Sequence, residues 1–485
     1  MLRISRSTIF AGLLIAAIGT FYLATIRSGH DVGDDFSMYI AHAKNIAEGR
    51  PYAETGYLYN PDDPIAPTAY PPGYPLFLSM IYRGWGLNLN AMKAANIALF
   101  LLSLAVIFAI ARRALGPRAA LIVLPIIGLN PTFWEFKDQI LSETLFVLLT
   151  YAGLFFVSRA RQPHQPRWRQ GLQALLGGVM MLLACKTRSI GFVLPAIVLV
   201  TDLLRFRRQL WLTGLCLLPV VVFLAVWPDP FQHEANYLHY LRPVDLRWTL
   251  MNAEQYTKEL RNLWRNDYSG IIMRALFLSM NGLALAGYAV RIRRGITYYE
   301  LFAACYSLAV LLWPSYQGIR FFLPVLPLYI LYAVAGLNWL IEIGRVGSKP
   351  ALPLLLAVIL VSYAGRYTKV EYGPIRQGVE QPNTVALLEY VKHQTPPDAV
   401  CIFYKPRLLA LFTGRRASTC HDAPDEALLA YFDRIGVDYA IATEGFWRDQ
   451  GTLKPFIERH PNRFERVYVN PEFAVYRLEK HADAP

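Results

Sequence analysis

Apolar and polar positions alternate along this chain in long blocks. Apolar runs recur from Ile9 to Tyr363, each bounded by basic residues or a polar loop. Runs of about 18 to 20 residues are long enough to cross a bilayer as helices. The pattern predicts about eleven spans, at residues 9–26, 92–110, 119–129, 141–157, 172–185, 190–204, 210–227, 271–290, 298–313, 321–341 and 352–363. Arg3 and Arg6 precede the first run. It is long for a signal-peptide core and no small-residue cleavage site follows, so it reads as a retained anchor. Between the runs lie three polar regions of a different kind: residues 27–90, residues 228–270, and the tail from 366 to 485.

Charge sets the sidedness of this pattern. Arginines cluster in alternate short connections: Arg112, Arg113 and Arg118; Arg159, Arg161, Arg167 and Arg169; Arg205, Arg207 and Arg208; Arg291, Arg293 and Arg294. By the positive-inside rule these connections are cytoplasmic, which puts the loop 27–90 and the tail outside. Lys186 and Arg188 fall on the outer side and need a separate reason to sit beside the membrane. The net charge of +13 therefore reports topology and does not point to nucleic acid. Only 17% of residues are charged and the mean hydropathy is +0.29, whereas soluble domains carry about 25% charged residues. The fold class is an α-helical polytopic membrane protein with a small C-terminal α/β domain. The domains are 1–365, including the first outer loop, and 366–485. Five cysteines form no metal-binding spacing. Cys401 and Cys420 lie in the tail, where an oxidising compartment would let them pair.

The first outer loop carries the densest chemistry. Asp31, Asp34 and Asp35 sit at the exit of the first span. A helix starting near Asp34 stacks Asp35, Tyr39 and His42 on one face, by i, i+4, i+7 spacing. Two readings are open: a solvated helix N-terminus, which Asp suits, or a site held near the bilayer. Gly49 and Pro51 stop this helix. Pro71, Pro72, Gly73 and Pro75 are expected to break regular structure. The second outer loop carries Glu135, Lys137, Asp138 and Glu143. Tyr237, Tyr240, Trp248, Tyr256 and Trp264 read as interfacial belt and loop packing. In the tail, AVCIFY and VDYAIAT read as strands, RLLALFT as a helix, and RFERVYVNPEFAVYRLE as a hairpin turning at Asn470 and Pro471.

Five motifs in chain order, the acidic pair at 34–35, DFSMYIAHAKNIAEG, YPPGYPLFLS, LSETLF and RFFLPVLPLYILY, resemble the membrane glycosyltransferases of the GT-C superfamily. The resemblance is to proteins akin to the protein O-mannosyltransferases (dolichyl-phosphate-mannose-protein mannosyltransferases) and the aminoarabinose-lipid A transferase. It covers most of the membrane portion and little of the tail. It implies a polyprenyl-phosphate-linked sugar donor in the membrane lipid, a lipid, glycan or protein acceptor, and a multi-pass protein of a bacterial inner membrane with its site outside. It also implies a first-loop aspartate as base. Asp35 has the family's four-residue spacing to a tyrosine, here Tyr39, and Asp34 begins the acidic doublet. Glu143 matches the acidic residue of the second loop, and Arg320 an arginine before the Pro-rich late span. Relatives with a lysine before the Pro-Pro pair differ here, because Tyr70 holds that position. Lys186 and Arg188 are the candidates to replace its phosphate contact.

A departing polyprenyl phosphate needs no protonating acid, so one base for the acceptor hydroxyl suffices. Fixed cations aimed at the phosphate lower the barrier, and arginine's planar fork suits phosphate oxygens. The resemblance leaves room for a divalent metal on Asp34 or Glu143, with no closed metal motif to hold it. The rival classes are a transporter of lipid-linked glycan and a non-catalytic binder of it. A transporter calls for internal repeats or paired broken helices, and none is legible.

Overall fold

All eleven apolar runs are helical in the computed structural model, which describes residues 5–63, 65–226, 245–265, 270–344 and 350–479. After α1 (Arg6–Ala24) the first loop holds α2 (Asp34–Glu48) and α3 (Gly73–Trp85). Then come α4 (Leu89–Leu115), α5 (Pro117–Gly128), the short α6 (Pro131–Phe136), α7 (Glu143–Ala160), α8 (Arg167–Thr187), α9 (Val193–Arg205) and α10 (Leu210–Val226). α11 (Leu246–Asn262) is an amphipathic loop helix; α12 (Gly270–Arg294), α13 (Tyr298–Leu311), α14 (Leu326–Glu342) and α15 (Ala351–Tyr367) complete the apolar set. Among the described residues five helices are long and apolar enough to cross a membrane: α1, α4, α7, α12 and the stretch 207–226 that includes α10. α5, α13, α14 and α15 are shorter apolar helices. Tyr237 and Tyr240 lie outside the described residues.

Local chemistry fixes the helix ends. Thr297 and Glu300 form a reciprocal capping box at the start of α13. Gly49 closes α2 with φ 70°, a conformation that favours glycine. α12 and α14 cross at paired glycines: a Cβ on Gly287 would strike the Tyr332 carbonyl, and one on Gly336 the Leu283 carbonyl. At the arginine-rich ends, buried Asp202 on α9 accepts hydrogen bonds from Arg161, from Tyr298, and from Thr213 at 2.6 Å. That carboxylate joins the ends of α7, α9, α10 and α13.

By contacts the described residues form two compact units: those within 1–26, 93–226 and 245–372, and those within 27–92 and 373–479. The first loop thus packs with the tail, whereas the sequence reading grouped it with the membrane segments. The tail's sheet has the order β2-β1-β3-β5-β4, with β1 (Val400–Ile402), β2 (Arg416–Ser418), β3 (Tyr439–Thr443), β4 (Phe464–Val469) and β5 (Phe473–Leu478). β1 runs parallel to β2 and β3, while β5 runs antiparallel to β3 and β4. α16 (Pro382–Gln394), α17 (Pro406–Thr413), α18 (Asp425–Ile435) and α19 (Lys454–Arg459) flank it. Both expected strands, the RLLALFT helix and the hairpin at Asn470 are present; β2 is an addition. The first loop extends this sheet. Tyr57 bridges Ala417 in parallel fashion, the Leu58 N–H donates to the Ala417 carbonyl at 2.8 Å, and the Ala417 N–H to that of Gly56 at 2.9 Å. Val379 N–H also donates to the His30 carbonyl at 2.9 Å.

Two expectations are corrected here. The Pro71–Pro75 stretch does not break structure, because α3 begins at Gly73 with Pro72 as its cap. Pro75 then lies in the first turn, where a missing N–H removes no helical bond. The cysteines are all free thiols, so Cys401 and Cys420 do not pair. Cys401 is in register with Ala417. Cys420 lies three residues further on, roughly 10 Å along an extended chain, which exceeds the reach of a disulfide. Burial pushes both thiols up to about 12.

Candidate active site

The face read from spacing on α2 converges on one residue, Tyr70. Its hydroxyl donates to Asp35 Oδ1 at 2.7 Å. Tyr39 packs its ring 4.7 Å from that of Tyr70. His42 Nε2 accepts the Tyr70 backbone N–H at 3.2 Å, and its Nδ1 lies 2.8 Å from the Tyr52 carbonyl. The i, i+4, i+7 stripe is therefore a binding face for the YPPGYP segment.

Asp34 points elsewhere and is not a solvated cap. Its Oδ2 accepts Arg407 Nε at 2.7 Å, and its Oδ1 accepts the Leu408 N–H at 2.9 Å. Both donors belong to the first turn of α17, whose dipole favours a carboxylate there. Arg407 also donates Nη1 to the Tyr70 hydroxyl at 2.5 Å and sets Nη2 3.3 Å from Asp35 Oδ1. Burial alone would lower the Arg407 guanidinium; Tyr70, Asp34 and Asp35 outweigh it and hold it well above its ordinary value. The Asp34 side chain is 5% exposed and that of Asp35 29%. Two neighbouring carboxylates thus meet two environments: Asp34 is committed at both oxygens, and Asp35 keeps access to solvent.

In the other unit, Glu143 opens α7 and its Oε1 accepts Arg188 Nη1 at 2.6 Å. Arg188 also donates to Ser142 Oγ at 3.1 Å. The guanidinium carbon of Arg188 lies 4.9 Å from the centre of the Phe321 ring, and that of Arg320 5.5 Å from the same ring. Glu143, Arg188 and Arg320 are thereby brought together. Lys186 is not; it sits 4.9 Å from the Phe223 ring, while Arg188 lies beyond the end of α8. Asp138 accepts Lys137 Nζ at 2.6 Å and has Lys93 Nζ at 3.8 Å, all three buried. Lys137 also stacks over Trp134, 3.8 Å from the ring centre. Three buried or half-buried cations, Lys93, Lys137 and Arg188, thus face two carboxylates, Asp138 and Glu143.

Glu143 Oε2 is buried with no hydrogen-bond partner. It lines a cavity of about 30 Å³ with Lys137 and Asn96, which has room for a water. A larger cavity of about 200 Å³ is lined by Glu135, Glu259, Asn262, Arg265 and Arg366. Trp264 is fully buried and packs in the core.

The donor set does not fit the metal. Asp34 has both oxygens taken, Glu143 is ion-paired to Arg188, and among the described residues no group of three His, Cys, Asp or Glu converges. Asp34 is an anion bound by arginine and a helix N-terminus, which is the opposite of a vacant ligand. Arg407 is the residue that sequence reasoning missed. It lies 373 positions from Asp34, in a tail segment whose only legible signal was helix propensity. It donates to the hydroxyl of Tyr70.

Residues 69–228, about a third of the chain, match the family model described as dolichyl-phosphate-mannose-protein mannosyltransferase. No curated protein matches. Among solved structures, ArnT from Cupriavidus metallidurans bound to undecaprenyl phosphate superimposes with TM-score 0.64 at 13% identity, covering 99% of each chain. The oligosaccharyltransferase AglB from Archaeoglobus fulgidus, in complex with an inhibitory peptide and a dolichol-phosphate, gives TM-score 0.59 at 13% identity over 98% of this chain and 75% of that one. The chain is thus a polytopic membrane protein of the GT-C fold, resembling the protein O-mannosyltransferases and the aminoarabinose-lipid A transferase.

Proposed function

We propose that this chain transfers a sugar from a polyprenyl-phosphate-linked donor to an acceptor hydroxyl, with Asp35 as general base, at the extracytoplasmic face of a bacterial inner membrane. The matched family and the lipid phosphates in the names of the two similar structures support the donor class. The observation that carries the choice of base is the division of labour between the two aspartates. Asp34 is fixed by Arg407 and the Leu408 N–H, and Asp35 remains half-buried, oriented by Tyr70.

In this reading Asp35 takes the proton of the acceptor hydroxyl as its oxygen attacks the anomeric carbon. The bond from that carbon to the phosphate oxygen breaks, and polyprenyl phosphate leaves with the electron pair. Arg407, bonded to Tyr70 and beside Asp35, holds that carboxylate in place. Arg188 and Arg320 are the cations proposed to receive the departing phosphate. A phosphate leaving group is stable enough as an anion for fixed cations to support it.

Purified protein incubated with defined polyprenyl-phosphate sugars and candidate acceptors should release polyprenyl phosphate, read by mass spectrometry. Asp35→Asn keeps the shape and removes the basicity, so turnover should fall by roughly 10²–10⁴-fold with donor binding retained. Asp34→Asn should lower thermal stability first and turnover less. Donor carried across the membrane intact, with no polyprenyl phosphate released, would favour a transporter instead. Wild-type turnover in both variants of an active preparation would remove the aspartate mechanism.

A further inference from the structure

At the arginine-rich ends of the spans, most buried charge is matched. Arg161 pairs with Asp202 and Arg291 with Glu300 at 3.1 Å. Half-buried Arg159 and its exposed neighbour Arg113 share no such match. Arg113 at the end of α4 and Arg159 at the end of α7 converge on a single ring, Phe155, with guanidinium carbons 5.9 and 5.8 Å from its centre. Among the described residues neither has a carboxylate partner. Arg159 Nε is buried with no hydrogen-bond partner.

Two like charges brought to one ring repel, and the ring's quadrupole offsets only part of that. A buried, unbonded guanidinium N–H is costly as well. Both deficits are met by one ligand: an anion with several acceptor oxygens, which a phosphate is. Basic recesses between membrane helices on the cytoplasmic side are where anionic headgroups bind, and the positive-inside rule assigns these helix ends to that side.

We propose that Arg113 and Arg159 form a site for one phosphate group, that of an anionic phospholipid lodged between α4 and α7. The site is separate from the proposed transfer chemistry and does not depend on it.

Native mass spectrometry of the full chain tests this, with phosphatidylglycerol, phosphatidylethanolamine or inorganic phosphate added after delipidation. The wild type should retain one phosphatidylglycerol in preference to phosphatidylethanolamine. Arg113→Gln with Arg159→Gln should weaken retention at least tenfold. Arg118→Gln with Arg167→Gln removes the same charge at two exposed positions and should leave retention intact. Arg113→Lys with Arg159→Lys, keeping charge without the fork, should recover part of it and guards against a folding defect. Binding of inorganic phosphate in place of lipid, lost in the Gln pair, keeps the phosphate site and makes its ligand soluble. Unchanged retention in Arg113→Gln with Arg159→Gln, or equal loss in the Arg118 and Arg167 control, overturns the proposal.

Discussion

His42 is fully buried, with Nδ1 against the Tyr52 carbonyl and Nε2 against the Tyr70 N–H. An acceptor role at Nε2 requires the neutral ring. Burial lowers its pKa from 6.5 to about 4; the Tyr52 carbonyl opposes this and Arg407 adds to it. The unfolded chain binds this proton below about 6.5 and the folded chain only below about 4, so the His42 contribution is complete above 6.5 and drains away as pH falls to 4. Asp449 works in the opposite sense, because burial raises it to about 6. Comparing wild type with His42→Gln isolates the histidine. The stability difference between them should shrink by about 3 kcal/mol as pH falls from 6.5 to 4. A pH-independent difference in unfolding free energy would show that the ring is not held neutral. The α2 face was legible because Asp35, Tyr39 and His42 obey helical spacing. Arg407 was not, since a partner hundreds of residues away leaves no periodicity to read.

At the scale of elements, the apolar runs correspond to helices among the described residues, while the Pro-rich stretch misled. Proline signals a break only where its N–H is needed, and in the first turn of α3 it is not. Helix crossings were also illegible, because the same glycine is a weakness in isolation and a contact surface in a pair. Gly336→Ala places a methyl on the Leu283 carbonyl and forces α12 and α14 apart. The expected cost is about 1–3 kcal/mol, read as a lower thermal midpoint in detergent. Gly282→Ala on the same α12 meets nothing within 4 Å and should be neutral or stabilising by about 0.4–1 kcal/mol. Equal effects from the two would mean that helix propensity, and not the crossing, governs both.

At the scale of the molecule, the tail and the first loop form one folded unit although every apolar helix but α1 lies between them in sequence. The tail's strands were legible one by one, yet its first-loop partner was not, because bridging at Tyr57 leaves no mark on either segment alone. A chain ending at residue 372 should therefore lose more than a tail. Its Asp34 would have no Arg407, and proteolysis within 27–92 should rise at least tenfold while cleavage within 93–372 stays as it is. Equal protection of 27–92 in the two chains would contradict this. The separation also has a meaning in time. Arg407 is made 373 residues after the Asp34 it binds; at about 5–20 residues per second the ribosome needs roughly 20–75 s to cover that distance. Throughout that interval the newborn chain has its aspartates in place but no arginine to fix them. Each molecule acquires the Arg407 contacts to Asp34, Asp35 and Tyr70 only when most of its own chain has been made.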